Sequence, residues 1–255
     1  MIKKSEFHKS YNGHKDQLDY FIEHFDEIGT PFGNQDRNSL KLFELNNKTL
    51  NVKSFRVPNI FNQIAYRFFR KSKAERSFEY ANKLKQLDIG TPQPIAYFEF
   101  TTALLFKKSF YISEQVNCDL TYRELTTDLN YPDYETILRA FTRFTFDLHE
   151  KGVHFLDHSP GNTLILKEVN DYKFYLVDLN RMEFKQLDFE SRVKNFSKLT
   201  THKSIVEIMS NEYAKCLGES YDKVFDLMWK ETLAFQEKYH RKRRLKKKLK
   251  FWKRA

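Results

Sequence analysis

Asp157 and Asn162 bracket the segment Leu156-Asp157-His158-Ser159-Pro160-Gly161-Asn162, and Asp178 follows in Val177-Asp178-Leu179-Asn180-Arg181. The stretch from Asp157 to Asn162 is turn chemistry throughout, so its two ends lie on one tight loop. Two short apolar runs come next, 163–166 and 174–177, with an Asn170-Asp171 turn between them. This order predicts a hairpin that returns Asp178 to the side of Asn162. A carboxylate and an amide oxygen are hard ligands of the kind Mg²⁺ accepts when phosphate oxygens complete its octahedron. A further carboxylate beside them can orient a hydroxyl and take its proton. The Asp-Asn pair alone has a plainer reading, polar side chains satisfying turn backbone. The hairpin and Asp178 behind it favour the chemical one.

Such a group needs elements to hold it. The first third of the chain reads as strands: 39–45 alternates, Asn46-Asn47-Lys48 turns, and 49–55 runs back. A helix is expected over 72–87, with Ala74, Phe78, Ala81 and Leu84 at helical spacing. Gly90-Thr91-Pro92-Gln93-Pro94 breaks it. Strands over 95–100 and 109–116 follow, then a helix over 134–151 with Ile137, Leu138, Phe141, Phe144 and Leu148 on its apolar face. From about residue 188 the pattern is helical. Strands first and helices after suit an α+β protein with a β-rich first lobe and an α-rich second.

The order Asp-x4-Asn, hairpin, Asp resembles the catalytic and metal-binding loops of protein-kinase-like folds. That arrangement requires a strand lysine for phosphates, a helix glutamate to hold it, and a connector between lobes. Lys53 sits mid-strand, and Glu114-Gln115-Val116 is placed as the connector. Five blocks in order make the likeness specific: Lys53–Arg56, Arg70–Ser77, Gly90–Tyr97, Leu156–Asn162 and Val177–Arg181. Together they resemble the lipopolysaccharide core kinase family of the Kdo- and heptose-kinase type, over roughly residues 35–200.

The resemblance implies a bilobal protein-kinase-like fold, ATP as donor, Mg²⁺, and an inner-core sugar, Kdo or heptose, as acceptor. It makes Asp157 the catalytic base, Asn162 and Asp178 the metal ligands, and Lys53 the contact to the ATP phosphates. Glu75 and Glu79 are both on the right helix to hold Lys53, and the sequence does not choose; Glu75 lies in the more motif-like block. A solvated helix-face carboxylate is the competing reading for either. Glu114 and Val116 in the connector count with the nucleotide-binding residues. In the loop before Ser39, backbone amides around Gly33 and the charge of Arg37 suit a phosphate, although the loop has no G-x-G-x-x-G and also reads as an ordinary hairpin loop.

Two departures separate the chain from protein kinases. The position two before the base is Phe155, with His154 one step earlier, and Asp178-Leu179-Asn180 lacks a glycine. Neither removes a phosphate or metal ligand. With no Ala-Pro-Glu segment after Asp178, they argue against a regulated protein kinase.

With 255 residues, 40% apolar and 16% aromatic, the chain has enough material for a real core and is not a disordered composition. Cys118 and Cys216, far apart, provide no disulfide framework, so a reducing intracellular setting is expected. No apolar run follows the basic start as in a secretory signal, and none approaches a membrane span. The formal charge of +10 is local: ten of the 44 Lys/Arg fall in 240–255, leaving 34 basic against 34 acidic residues in 1–239. There Leu245, Leu249 and Trp252 share one helical face, flanked by Phe251. Such a tail suits an anionic membrane surface; a solvated end or a nonspecific nucleic-acid arm is the alternative, the arm disfavoured by the neutral body.

The expectation is a single kinase-like domain over 1–255, with an N-lobe at about 20–116, a C-lobe at about 117–239 and the basic tail. It would be cytoplasmic, peripheral on the inner face of the cytoplasmic membrane, and oligomeric state is not readable. Two rivals are a soluble small-molecule kinase of the aminoglycoside or choline type, and a non-catalytic nucleic-acid or membrane adaptor on the same scaffold.

Overall fold

The computed structural model describes residues 1–33, 38–169 and 171–252, with side chains through residue 247. Arg37 and Asn170 lie outside the described residues. The chain divides into two compact units: Met1–Asn117 with Tyr175–Arg181, and Cys118–Phe174 with Met182–Ala255.

The first unit is built on a six-stranded antiparallel sheet. Its strands are β1 (Ile2–Phe7), β2 (Thr30–Pro31), β3 (Ser39–Leu45), β4 (Lys48–Phe55), β5 (Pro94–Thr101) and β6 (Phe106–Glu114), in the order β1-β5-β6-β4-β3-β2. Asn46 and Asn47 both have positive φ, 48° and 61°, the backbone a two-residue hairpin turn needs to match strand twist. Alternation along β4 sends Leu50 and Val52 to one face and Lys53 and Phe55 to the other. The first face is covered by α1 (Lys15–Glu23), whose Leu18, Phe21 and Ile22 share a core with Phe43, Val52, Phe110 and Ile112. The second is covered by α3 (Lys73–Gln86), whose Ala74 and Phe78 pack with Phe55, Tyr97 and Tyr111. Buried Ser72 caps α3, its hydroxyl accepting from the Glu75 amide at 3.1 Å. Between β4 and α3 lies a short helix, α2 (Ile60–Phe68).

The expected first lobe begins only at about residue 20, yet β1 pairs along its whole length with β5 and α1 closes the core. The first third is therefore not all strand: α1 and α2 interrupt it.

The second unit is mainly helical. Its helices are α4 (Tyr122–Thr127), α5 (Tyr134–Glu150), α6 (Phe189–Lys194), α7 (Lys203–Leu217) and α8 (Tyr221–Trp252). Ile137, Leu138 and Phe141 of α5 bury against Met209 and Tyr213 of α7 and Val224 and Met228 of α8. Thr121 and Glu124 form a reciprocal capping box at α4. The short strands are β7 (Leu120–Thr121), β8 (Val153–Phe155), β9 (Thr163–Lys167), β10 (Tyr172–Leu176) and β11 (Met182–Phe184), with β9 between β10 and β7, and β11 paired to β8. Gly152, at φ +68°, turns the chain from α5 into β8, and a Cβ there would meet the Lys185 carbonyl oxygen at 3.2 Å. Among the described residues, no helix is long and apolar enough to cross a membrane.

Candidate active site

In the first unit, Lys53 sits between Leu40 of β3 and Tyr111 of β6 in the sheet register. Its ammonium group donates to Asp178 Oδ1 at 2.7 Å. Asp178 reaches it because the end of β10 is stitched to the 90–94 segment. The Leu176 amide donates to the Gly90 carbonyl at 2.9 Å, and the buried Thr91 hydroxyl donates to the Leu176 carbonyl at 2.9 Å. Asp178 itself adopts φ +58°, a left-handed conformation that is uncommon outside glycine. The Asn180 side-chain amide donates to the same Oδ1 at 2.7 Å. Where a kinase would have glycine, this chain has a buried asparagine that holds the aspartate in place. Two donors on Oδ1 leave Oδ2 for a cation.

Neither candidate glutamate pairs with Lys53. Glu75 accepts from Lys4 at 2.8 Å, with the Tyr97 hydroxyl at 3.5 Å, and Glu79 is paired with Lys71. The expectation of a Lys53–glutamate pair is therefore corrected: the lysine's carboxylate is Asp178. Lys4 comes from β1, the strand that the pattern analysis overlooked, and it claims Glu75 first. Lys73, at the first position of α3, was also missed; burial lowers its ammonium below the usual lysine range, against the pull of Asp178.

The connector is tied into the sheet. The Gln115 amide donates to the Thr49 carbonyl at 2.8 Å, and Asn51 donates to the Gln115 side-chain oxygen at 2.7 Å. The Glu114 carboxylate is occupied by the Tyr11 hydroxyl and Lys48. Burial alone would raise this carboxyl, but those bonds outweigh it and hold it below the usual range. Glu114 and Val116 border a cavity of about 690 Å³, also lined by Tyr11, Lys48 and Gln93. Gly33, at φ +64°, uses a backbone that other residues adopt only under strain.

In the second unit, Asp157 and Asn162 are joined as the turn chemistry requires. The Asn162 side-chain nitrogen donates to the Asp157 carbonyl at 2.8 Å, and the Asn162 amide to the Ser159 carbonyl at 2.9 Å. This orientation leaves the amide oxygen as the end available to a cation. Asn162 in the second unit and Asp178 in the first each carry a hard oxygen of the kind Mg²⁺ accepts.

The loop rests on a buried polar relay that sequence reading did not find. Asn195 donates to the Phe155 carbonyl at 2.9 Å and lies 3.1 Å from His149 Nε2, while the Tyr213 hydroxyl lies 2.7 Å from His149 Nδ1. Because the Asn195 nitrogen is spent on Phe155, its oxygen must accept, so His149 carries its proton on Nε2 and accepts from Tyr213. Lys198 donates to the Leu156 carbonyl, next to Asp157. His158 is fully buried and stacked on Phe141, with ring centroids 5.4 Å apart. Burial drives the His158 imidazole down to about 3 and His149 to about 4, so both are neutral near pH 7. Buried and stacked, His158 packs beneath the loop as a neutral ring. The one signal that could have exposed the relay is the pairing of polar Asn195 and His149 with otherwise apolar helical stretches.

A strand lysine tied to a left-handed aspartate, and a separate Asp–Asn loop bedded on helices, are the parts of a kinase-like phosphotransferase. The chain belongs to the lipopolysaccharide kinase (Kdo/WaaP) family, whose profile matches residues 16–218. Members of that family are kinases, and the chain is accordingly an ATP-using phosphotransferase. Among solved structures it is similar to WaaP in complex with acyl carrier protein, at 16% identity and a TM-score of 0.63, covering 94% of this chain and 98% of that one. That likeness shows the kinase-like fold. No curated protein sequence matches the chain.

Proposed function

We propose that the protein transfers the γ-phosphoryl group of ATP to a hydroxyl of a lipopolysaccharide inner-core sugar, Kdo or heptose. The observation that carries this reading is the Lys53–Asp178 pair, held by a left-handed backbone and by Asn180. Such a pair keeps a phosphate-binding cation and a metal-binding carboxylate in fixed register without a helix glutamate.

Asp157 acts as the base: it orients the acceptor hydroxyl and takes its proton as the oxygen bonds to the γ-phosphorus. The bond from that phosphorus to the β-bridging oxygen breaks, and ADP carries away the electron pair. Lys53 offsets charge on the ATP phosphates. Asn162 and Asp178 would hold Mg²⁺, which would supply charge to neutralise the phosphates. Gly33 and Arg37 lie in the phosphate-covering loop, and Glu114 and Val116 border the nucleotide. The network under β8 keeps the base loop in one conformation. The basic tail keeps the enzyme on an anionic membrane, where a lipid-linked acceptor is presented.

Mass spectrometry of core lipopolysaccharide from cells with and without the gene tests the assignment. The account predicts a phosphate-sized mass on an inner sugar that disappears with the gene. Identical cores in both strains would rule it out.

A further inference from the structure

The α2 helix is docked inside out. Its angular spacing groups Ile60, Ile64, Phe68 and Phe61 on one face, with Asn62 and Tyr66 opposite and Gln63 and Arg67 along one flank. A surface helix ordinarily buries the first group. Here the contacts to the sheet are made by Tyr66 and Arg67: the Tyr66 ring lies 5.6 Å from that of Phe106, and Arg67 donates to the Thr102 carbonyl at 3.1 Å, beside an open pocket of about 440 Å³ that Tyr66 and Asn62 line. No residue of α2 is buried. Phe61 is 80% exposed and Phe69, just beyond the helix, 82%, with Ile60, Ile64 and Phe68 also exposed. A contiguous apolar ridge of this kind marks an interaction surface.

Charge indicates its occupant. From Arg56 through Ala74 there are five cations and no acid, in a body that is neutral as a whole. One of the five, Lys71, is spent on Glu79, while Glu75 is matched by Lys4 from outside the segment, which leaves Arg56, Arg67, Arg70 and Lys73. A protruding row of Phe and Ile flanked by Arg and Lys is the form that enters a headgroup layer, with rings among acyl chains and cations on anionic phosphates.

We infer that α2 is an interfacial anchor that inserts Phe61 and its neighbours into an anionic phospholipid surface. It acts from the sheet-containing unit, apart from the C-terminal tail, and the inference does not rest on the phosphoryl-transfer reading.

The test uses the full chain with vesicles of phosphatidylcholine alone or mixed equally with phosphatidylglycerol. In the mixed vesicles at high salt, where the tail's charge is screened, Phe61→Ser/Phe68→Ser should bind about tenfold or more weakly than wild type, because the lost contribution is apolar area. Phe61→Trp should show additional fluorescence quenching by brominated acyl chains over the background of Trp229 and Trp252. Equal binding of wild type and double variant would overturn the inference. So would an introduced tryptophan that brominated lipid leaves unquenched while an added acidic protein shifts its emission, since the ridge would then be a protein-docking face. The tryptophan variant keeps an aromatic ring at an exposed site, so its result stands even if the serine pair disturbs folding.

Discussion

Asp178 combines two demands that a less constrained residue would not meet. Its backbone is left-handed, at a cost of about 1–2 kcal/mol for a non-glycine residue, and its Oδ1 accepts from Lys53 and Asn180 together. Strain kept in place by two donors is characteristic of a site whose geometry is used. Asp178→Ala should therefore remove the Mg²⁺-dependent part of nucleotide stabilisation. Thermal shifts with Mg-ATP and with ATP plus chelator measure this: they should differ in wild type and coincide in the variant, and a preserved difference would reject the metal role. At this scale Asp157, Asn162, Asp178 and Lys53 stand out as candidates because each sits in a short motif with fixed spacing. The partner of Lys53 was not, because it depends on Lys4, whose claim on Glu75 is made across the sheet and leaves no local trace.

Among elements, β8 and its loop are the clearest case of position supplied from elsewhere. Asn195, His149 and Tyr213 come from three different helical segments and converge on one carbonyl, that of Phe155. The two neutral histidines make the unit acid-sensitive. Their protonation is favoured in the unfolded chain, near the ordinary pKa of 6.5, and resisted in the folded one down to about 4 and about 3. Stability is thus fully present above pH 6.5 and is lost as pH falls toward those lower values. Between pH 6.5 and pH 5 each contributes on the order of 1.5 kcal/mol of the loss. Urea unfolding across this window, which lies above carboxylate titration, should show the slope. His158→Phe should make the slope shallower by that residue's share while leaving stability near pH 7 almost unchanged, since His158 Nδ1 is buried without a partner and a phenyl ring fills the same stack. An unaltered slope would refute the role of His158 as a neutral packing ring. The long amphipathic helices α3 and α5 and the β3–β4 hairpin were legible from periodicity and turn residues. The edge strand β1, reading Ile-Lys-Lys-Ser-Glu-Phe, shows no alternation because it is largely exposed. The α2 helix misleads because its apolar face looks outward.

At the scale of the whole molecule, charge is unevenly placed. The buried part of α8 ends near Thr232, yet the helix continues to Trp252, and Arg241–Lys247 are exposed. Leu245, on the apolar stripe of the tail, is also exposed, while Leu249 and Trp252 lie beyond the described side chains. Removing 240–255 should abolish the part of anionic-vesicle binding that weakens between low and physiological salt, and leave the α2-dependent part. Turnover on a short soluble acceptor should survive, as no proposed catalytic residue lies in that segment. Co-sedimentation of the truncated and full chains decides the first point; equal salt-dependent binding would remove the tail as an anchor. The tail was legible from composition alone, whereas the sugar recognised depends on surfaces that carry no motif.

Phosphoryl transfer itself is tested most directly with purified protein, ATP labelled at the γ-phosphate, Mg²⁺ and purified lipid-linked inner core carrying Kdo and heptose. The account predicts label on a core sugar with wild type and turnover lower by roughly 10²–10⁴ with Asp157→Asn, the size of a general-base contribution. Label that never reaches the sugar, or an Asp157→Asn enzyme as fast as wild type, would contradict it.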